Sequence, residues 1–245
     1  MIDQVTPESV TLFSEVTHDL DRSRDLHLLL CSPGGDGETA IRLVRIAQAA
    51  CARFVVVVPE TAKSAATIMA LGAHEILMGP TSDLGPIDPQ ILVPERGFYG
   101  AKDLIAAVDS ALNDVAERPD TYPLHAAMLG GIDSIVVQFA RSALERTGEL
   151  ARQAISSNPD RSEDDVERLC SSIYDPLIRE PHSHGAVIGA PEAAQAGLPV
   201  TGLDPLSEHW QHIWNLWTRY FALGQVGLLS VYEGERASQV KRYGP

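Results

Sequence analysis

Between Leu26 and Met78 the chain alternates short apolar runs with helical patterns, and nothing else in it constrains the fold as much. Leu26-His27-Leu28-Leu29-Leu30 runs into Cys31-Ser32-Pro33-Gly34-Gly35. A helix from about Glu38 to Ala52 follows, with Ile41, Leu43, Val44, Ile46 and Ala47 at helical spacing. Phe54 to Val58 is the next run, Ser64 to Leu71 a helix of small residues, and Glu75 to Met78 a third, shorter run. Unbroken apolar runs of this length read as strands buried on both faces. Strand–helix–strand repeats join parallel strands through right-handed crossovers. The expected class is therefore α/β with a mostly parallel sheet.

The flanking chain is read by the same rules. Thr6-Pro7-Glu8 is expected to open a helix, with Thr6 as cap and Pro7 in the first turn. From Gly79 to Gly97 the rhythm breaks at Pro80, Pro86, Pro89 and Pro94, which no long helix tolerates. Helical spacing returns over Ala101–Glu117 and, after Pro119-Asp120-Thr121, over about Leu124–Ser157. Ser162-Glu163-Asp164-Asp165 is a capping box that opens a further helix. Ala186-Val187-Ile188 reads as a short strand, and Pro191 to Ala196 as a short helix ended by Gly197. Trp210, Trp214, Trp217 and Phe221 share one helical face, suited to the core or to a subunit contact. Beyond Gly224 a short strand and a loose tail are expected. The whole reads as one domain over 1–245, with a core at about 26–200, a helical insertion at about 119–180, and an aromatic helix and tail at about 203–245.

Composition removes several functions. A net charge of -14 disfavours nucleic acid and anionic membranes, since both need a cationic face. Cys31, Cys51 and Cys170 form no Cys-x-x-Cys pair, so neither a zinc site nor a disulfide frame is signalled. No basic start followed by an apolar stretch marks a signal peptide, and no apolar run approaches the roughly 20 residues that span a bilayer. A cytoplasmic, reduced protein without membrane span, metal or cofactor is expected.

The chemistry sits at two strand-to-helix junctions, where backbone N–H groups are left without intrahelical partners. One junction carries a hydroxyl, Ser64 in Lys63-Ser64-Ala65-Ala66-Thr67; the other is the bare Gly34-Gly35 turn. Acyl transfer needs a nucleophile and donors for an oxyanion, and these two junctions could supply both. The plainer alternative is a pair of tight turns in which Ser64 only caps a helix.

Four blocks in order carry a likeness to known proteins. They are Leu30-Cys31-Ser32-Pro33-Gly34-Gly35, Ala62-Lys63-Ser64-Ala65-Ala66-Thr67, Ser82-Asp83-Leu84-Gly85-Pro86-Ile87-Asp88-Pro89-Gln90, and Ser183-His184-Gly185 followed by Glu192-Ala193-Ala194-Gln195-Ala196-Gly197-Leu198. With them the chain resembles the Clp/crotonase superfamily, and most of all the serine dehydrogenase proteinase (SDH) family of Clp-fold serine proteinases, which is related to the signal peptide peptidases. The resemblance implies a spiral of β-β-α units with an inserted helical block and a C-terminal helix. It implies peptide-bond hydrolysis by Ser64, with the amides of Gly35 and Ala65 as oxyanion hole. A triad of Ser64, Asp88 and His184 follows from the SDH order, with acid and imidazole exchanged relative to Clp peptidases. Peptide or unfolded protein would be the substrate, the subunits would form a trimer or ring, and a separate ATPase is an allowed partner, since no Walker motif occurs here.

Other assignments of the base stay open. Signal-peptide peptidases use a Ser–Lys dyad, and Lys102 begins a helix roughly where theirs stands; Lys63 adjoins Ser64 but should point away from it. His182 could replace His184, His184 could be a surface residue, and Asp88 could cap the turn before Pro89. Crotonase chemistry on the same two amides, or an inactive scaffold of this shape, are the competing functions.

Overall fold

The computed structural model describes residues 1, 4–93, 97–180, 185–225 and 228–242. In chain order its first part comprises α1 (Ser9–Thr17), β1 (Leu26–Leu29), α2 (Gly37–Ala50), β2 (Phe54–Val58), β3 (Thr61–Ala62), α3 (Ala65–Leu71), β4 (Glu75–Met78) and β5 (Asp83–Leu84). A hairpin of β6 (Gln90–Val93) and β7 (Gly97–Gly100) precedes α4 (Ala101–Glu117), α5 (Tyr122–Met128), α6 (Ser134–Ser156) and α7 (Glu163–Ile173). After a π-helical stretch at Tyr174–Arg179 come α8 (Ala190–Gln195), β8 (Val200–Gly202), α9 (Glu208–Gln225), β9 (Leu228–Glu233) and β10 (Ser238–Arg242).

The central sheet has the order β1-β2-β4-β8 and every pair in it is parallel. Its strands are apolar at successive positions because both faces are covered. Leu28, Phe54, Val56, Val58, Ile76 and Met78 face the main core under α2, α3, α6 and α7. Val55, Val57 and Leu77 point the other way, towards Leu29, Leu203 and Ile213 of α9. Trp210 and Trp217 are buried there, and Trp210 lies so close to Gly79 that a Cβ on that glycine would stand 2.4 Å from its ring. The aromatic stripe therefore covers the second face of the sheet, while Phe221 at its far end is exposed.

A second, much shorter ladder grows from the ends of the main strands. Ser32 bridges Ala62, β3 pairs with β5, and Leu84 bridges Ile188. Main strand, short strand and helix thus recur as β1–Ser32–α2 and β2–β3–α3. Two-residue strands carry no periodicity, so the chain alone reveals only the helices that follow them. Pro33, Gly34 and Gly35 turn the chain out of this ladder into α2, which Asp36 caps by accepting the Thr39 N–H at 2.7 Å.

Several expectations need adjustment. Helix α1 begins at Ser9 rather than Pro7, because the Ser9 hydroxyl accepts the Thr6 N–H and folds Thr6–Glu8 into a turn. The proline-rich stretch holds the β6–β7 hairpin, where Ile91 and Val93 face α4 and α6 while Leu92 is exposed. Among the described residues, Ala186–Ile188 makes a single bridge, at Ile188. The expected short strand and loose tail form an antiparallel hairpin, β9–β10, which buries Tyr232 against α1 through its bond to Ser9 Oγ. Among the described residues no helix is long and apolar enough to cross a membrane.

Candidate active site

Ser64 stands at the turn between β3 and α3 with φ 51° and ψ −114°, a backbone that side-chain-bearing residues rarely adopt. Strain of this kind persists only where the surroundings impose it, and it gathers at functional positions. Here the surroundings are identifiable. Lys63 N–H donates to the Ser32 carbonyl at 3.0 Å, and Ala66 N–H donates to the Lys63 carbonyl at 2.9 Å. Thr67, wholly buried one turn later, places its hydroxyl 2.8 Å from the Ala62 carbonyl and 2.9 Å from that of Gly85. The turn is locked on both sides. Ser64 sits at the cap position of α3 yet makes no side-chain cap bond, so capping does not account for its hydroxyl. Its side chain is half-buried, within reach of a ligand.

The Gly34-Gly35 turn presses directly against this elbow. A Cβ on Gly34 (φ 102°) would lie 2.6 Å from the Lys63 carbonyl oxygen and 2.8 Å from Ser64 Cβ. One on Gly35 (φ 139°) would lie 2.1 Å from the Val5 carbonyl oxygen. Only glycine fits at either place. Ser32, buried beneath, accepts the Gly34 N–H on its hydroxyl at 3.1 Å. Val5 pairs across the turn by donating to the Gly34 carbonyl and accepting from Asp36 N–H, so the N–H of Gly35 takes no part in that pairing.

Ser64, Ala65, Gly35 and Asp88 line one cavity of about 230 Å³. Asp88 is buried and accepts the Gln90 amide at 2.8 Å. Its carboxylate is one of two near Gly100, where an added Cβ would lie 3.3 Å from Asp88 Oδ2 and 2.8 Å from Asp103 Oδ2. The far wall comes from α6, through Ala143, Arg146, Thr147 and Leu150. Arg146 anchors that wall by a two-pronged pair with Glu38 at 2.6 and 2.9 Å. The guanidinium holds the Glu38 carboxyl below the usual range. Nothing in the sequence singles out Arg146; a cation 108 residues away from its partner leaves no local signal.

Four of the five expected site residues therefore share a cavity. The fifth, His184, lies with His182 outside the described residues. Lys102 lines a separate hollow with Asp103, Ala106, Arg179 and Glu180, and its ammonium is 3.5 Å from the Arg179 carbonyl. Lys63 points away from the cavity, as expected: it pairs with Asp83 and donates to the Ala186 carbonyl at 2.9 Å. A roomier hollow of about 480 Å³ lies around His74, Arg161 and Ser172. Two of its polar side chains are bonded to main-chain carbonyls. Ser172 is bonded to the Leu169 and Ala196 carbonyls, and Arg161 to those of Leu71, Ile155 and Ala73. Burial also pushes the Cys31 thiol up to about 11, which leaves it unreactive near neutral pH. Among the described residues, no group of three His, Cys, Asp or Glu side chains could hold a metal ion.

These features define a class: α/β proteins that offer a serine hydroxyl at a strained strand-to-helix elbow beside a Gly-Gly turn. One family model matches part of the chain. Residues 16–117, which include Gly35, Ser64, Ala65, Asp88 and Lys102, match the model of the ClpP-like SDH-type serine proteinases. An uncharacterized protein of Methanocaldococcus jannaschii is 32% identical over 96 residues, 39% of this chain and 32% of its own length. The chain thus spans about a third of the length of that curated relative. Two solved structures of mutants of the 1510-N membrane-bound stomatin-specific protease also align. One, in complex with a substrate peptide, is 14% identical with TM-score 0.35 and covers 88% of this chain and 94% of that one. The other is 17% identical with TM-score 0.36 and covers 84% and 95%. The family match covers less than half of the chain and agrees with the resemblance drawn from the sequence blocks.

Proposed function

We propose that the chain is a serine peptidase that cleaves peptide bonds through an acyl-enzyme on Ser64. The observation that carries this is the elbow: a half-buried hydroxyl in a strained backbone, unused as a cap, facing a cavity it shares with Gly35 and Ala65. In this reading His184 accepts the Ser64 proton as Oγ attacks the carbonyl carbon. The charge formed on the carbonyl oxygen falls to the N–H groups of Gly35 and Ala65. His184 then returns the proton to the departing amine as the C–N bond breaks, and water repeats the sequence to release the acid. Asp88, a buried carboxylate on the same cavity, is suited to orient the imidazole and to stabilise its charged form. The hollow that holds Lys102 is a different one, which favours the Asp88–His184 pair as base.

Turnover of an unstructured, quenched fluorescent casein tests this. Ser64→Ala should fall to background and His184→Ala should lose about a hundredfold or more. Lys102→Ala should stay within about twofold of wild type, because a residue outside the proton path removes no transition-state interaction. Full activity in Ser64→Ala ends the proposal; loss in Lys102→Ala with retention in His184→Ala moves the base to the lysine. The reading extends to a homo-oligomer, supported by the exposed apolar side chains Leu112, Leu124, Ile135 and Phe139 on α4, α5 and α6. Sedimentation of a monomer at micromolar concentration would count against it.

A further inference from the structure

We propose that the hollow around His74 and Arg161 is a second binding site, built to take the oxyanion group, phosphate or carboxylate, of a small molecule. Among the described residues it shares no lining residue with the cavity of Ser64, and the proposal stands apart from the peptidase reading. Its volume of about 480 Å³ lies in the range of small-molecule sites. The group that points to a ligand is the His74 imidazole, whose side chain is 5% exposed. Nδ1 accepts the Phe54 N–H at 3.1 Å, so the ring hydrogen sits on Nε2. That Nε2–H is buried and has no hydrogen-bond partner among the described residues. Asp160 Oδ2 stays 3.4 Å away, beyond good hydrogen-bond length, on a side chain that is 75% exposed. Buried donors are nearly always paired, and one left open calls for an acceptor from outside the chain.

Arg161, half-buried on the same hollow, supplies the charge. Its Nη1 donates to the Leu71 and Ile155 carbonyls at 2.7 and 3.0 Å, and its Nη2 to that of Ala73 at 2.7 Å. Main-chain oxygens therefore fix the head group, while none of these bonds runs to a carboxylate and further N–H groups stay open. Asp165, on the same lining, is already occupied. It accepts from the Ser162 N–H and hydroxyl and pairs with Arg168. Arg53 stands half-exposed at 3.6 Å from Glu75 and 4.0 Å from Asp25, too far for tight pairs. The lining thus carries three arginines against two aspartates, a positive surplus in a chain whose net charge is -14. A metal cation does not suit the place, because Nδ1 has given its lone pair to Phe54 and Nε2 carries a hydrogen. Leu169 and Pro199 add an apolar wall for the carbon body of the ligand.

Calorimetric titration of the full chain near neutral pH tests this, with inorganic phosphate, phosphoglycerate and citrate as probes. At least one of them should bind, one per chain. Binding of the two phosphates alone makes the recognised group a phosphate, and binding of citrate alone makes it a carboxylate. His74→Asn keeps an acceptor for the Phe54 N–H but loses the Nε2 donor, so it should weaken the bound probe about tenfold or more, as one hydrogen bond to a charged group would. Arg53→Gln should weaken it severalfold, whereas Arg42→Gln, exposed on α2 outside the hollow, should leave it unchanged. In the wild-type chain, where folding is not in question, the His74 Nε2–H signal in a histidine-selective ¹H–¹⁵N spectrum should shift on saturation. Three results would each overturn the site, whatever happens at Ser64. They are no binding of any probe at millimolar concentration, a His74 signal that ignores the bound probe, and a loss in Arg42→Gln equal to that in His74→Asn.

Discussion

If the backbone at Ser64 is strained for the sake of its hydroxyl, replacing it with glycine should stabilise the protein while destroying its activity. At φ 51° and ψ −114° a residue bearing a Cβ sits in a sparsely populated region, which costs about 1–3 kcal/mol. Glycine escapes that strain but gives back about 0.4–1 kcal/mol because its unfolded chain is freer. No capping bond is lost, since the Ser64 side chain makes none. Alanine removes the hydroxyl and keeps the strain, so it is the proper reference. Ser64→Gly should exceed Ser64→Ala in stability by about 1 kcal/mol, a rise of about 2–4 °C in melting temperature for a chain of this size. Urea melts of both variants, alongside their casein turnover, make the comparison. Both should be inactive. Were glycine no more stable than alanine, the elbow would not be strained, and the argument from strain to function would fail.

Two further outcomes follow from the same geometry. Gly34→Ala forces a Cβ to within 2.8 Å of Ser64 Cβ at a φ of 102°, so it should destabilise by about 2–5 kcal/mol from strain and overpacking together and slow fluorophosphonate labelling; unchanged melts and labelling would show that the turn does not press on the elbow. Burial holds His74 below its ordinary value of 6.5, against an opposing pull from Asp160, with Arg53 and Arg161 also nearby. The unfolded chain then binds more protons than the folded one below that value, so stability should fall as pH drops through 6.5 towards the folded value. His74→Asn, whose amide oxygen can replace Nδ1 as acceptor of the Phe54 N–H, should flatten that decline in urea melts; equal slopes would contradict it.

What the sequence made legible follows from where physical signals are local. Strands β2 and β4 and helix α4 appear at their expected bounds, because continuous burial and helical periodicity are written into adjacent residues. The Ser162 capping box and the Gly197 helix stop were readable for the same reason. Hidden features depend on partners distant in the chain. The β6–β7 hairpin lies among prolines that suggested only a break. The β9–β10 hairpin occupies a stretch rich in polar residues, and its contact with α1 spans 223 positions. In the site, Ser64 and the two glycines stood out because strand-to-helix junctions have recognisable composition. The Arg146–Glu38 and Lys63–Asp83 pairs did not, since a lone charge says nothing of what it will meet.

Covalent capture of the hydroxyl is the most direct test of the central claim. Wild-type protein, treated with a fluorophosphonate and digested, should yield a single phosphonylated peptide with the modification on Ser64, and boiling beforehand should abolish it. An intact chain that remains unmodified, or an adduct on any other residue, would contradict the account.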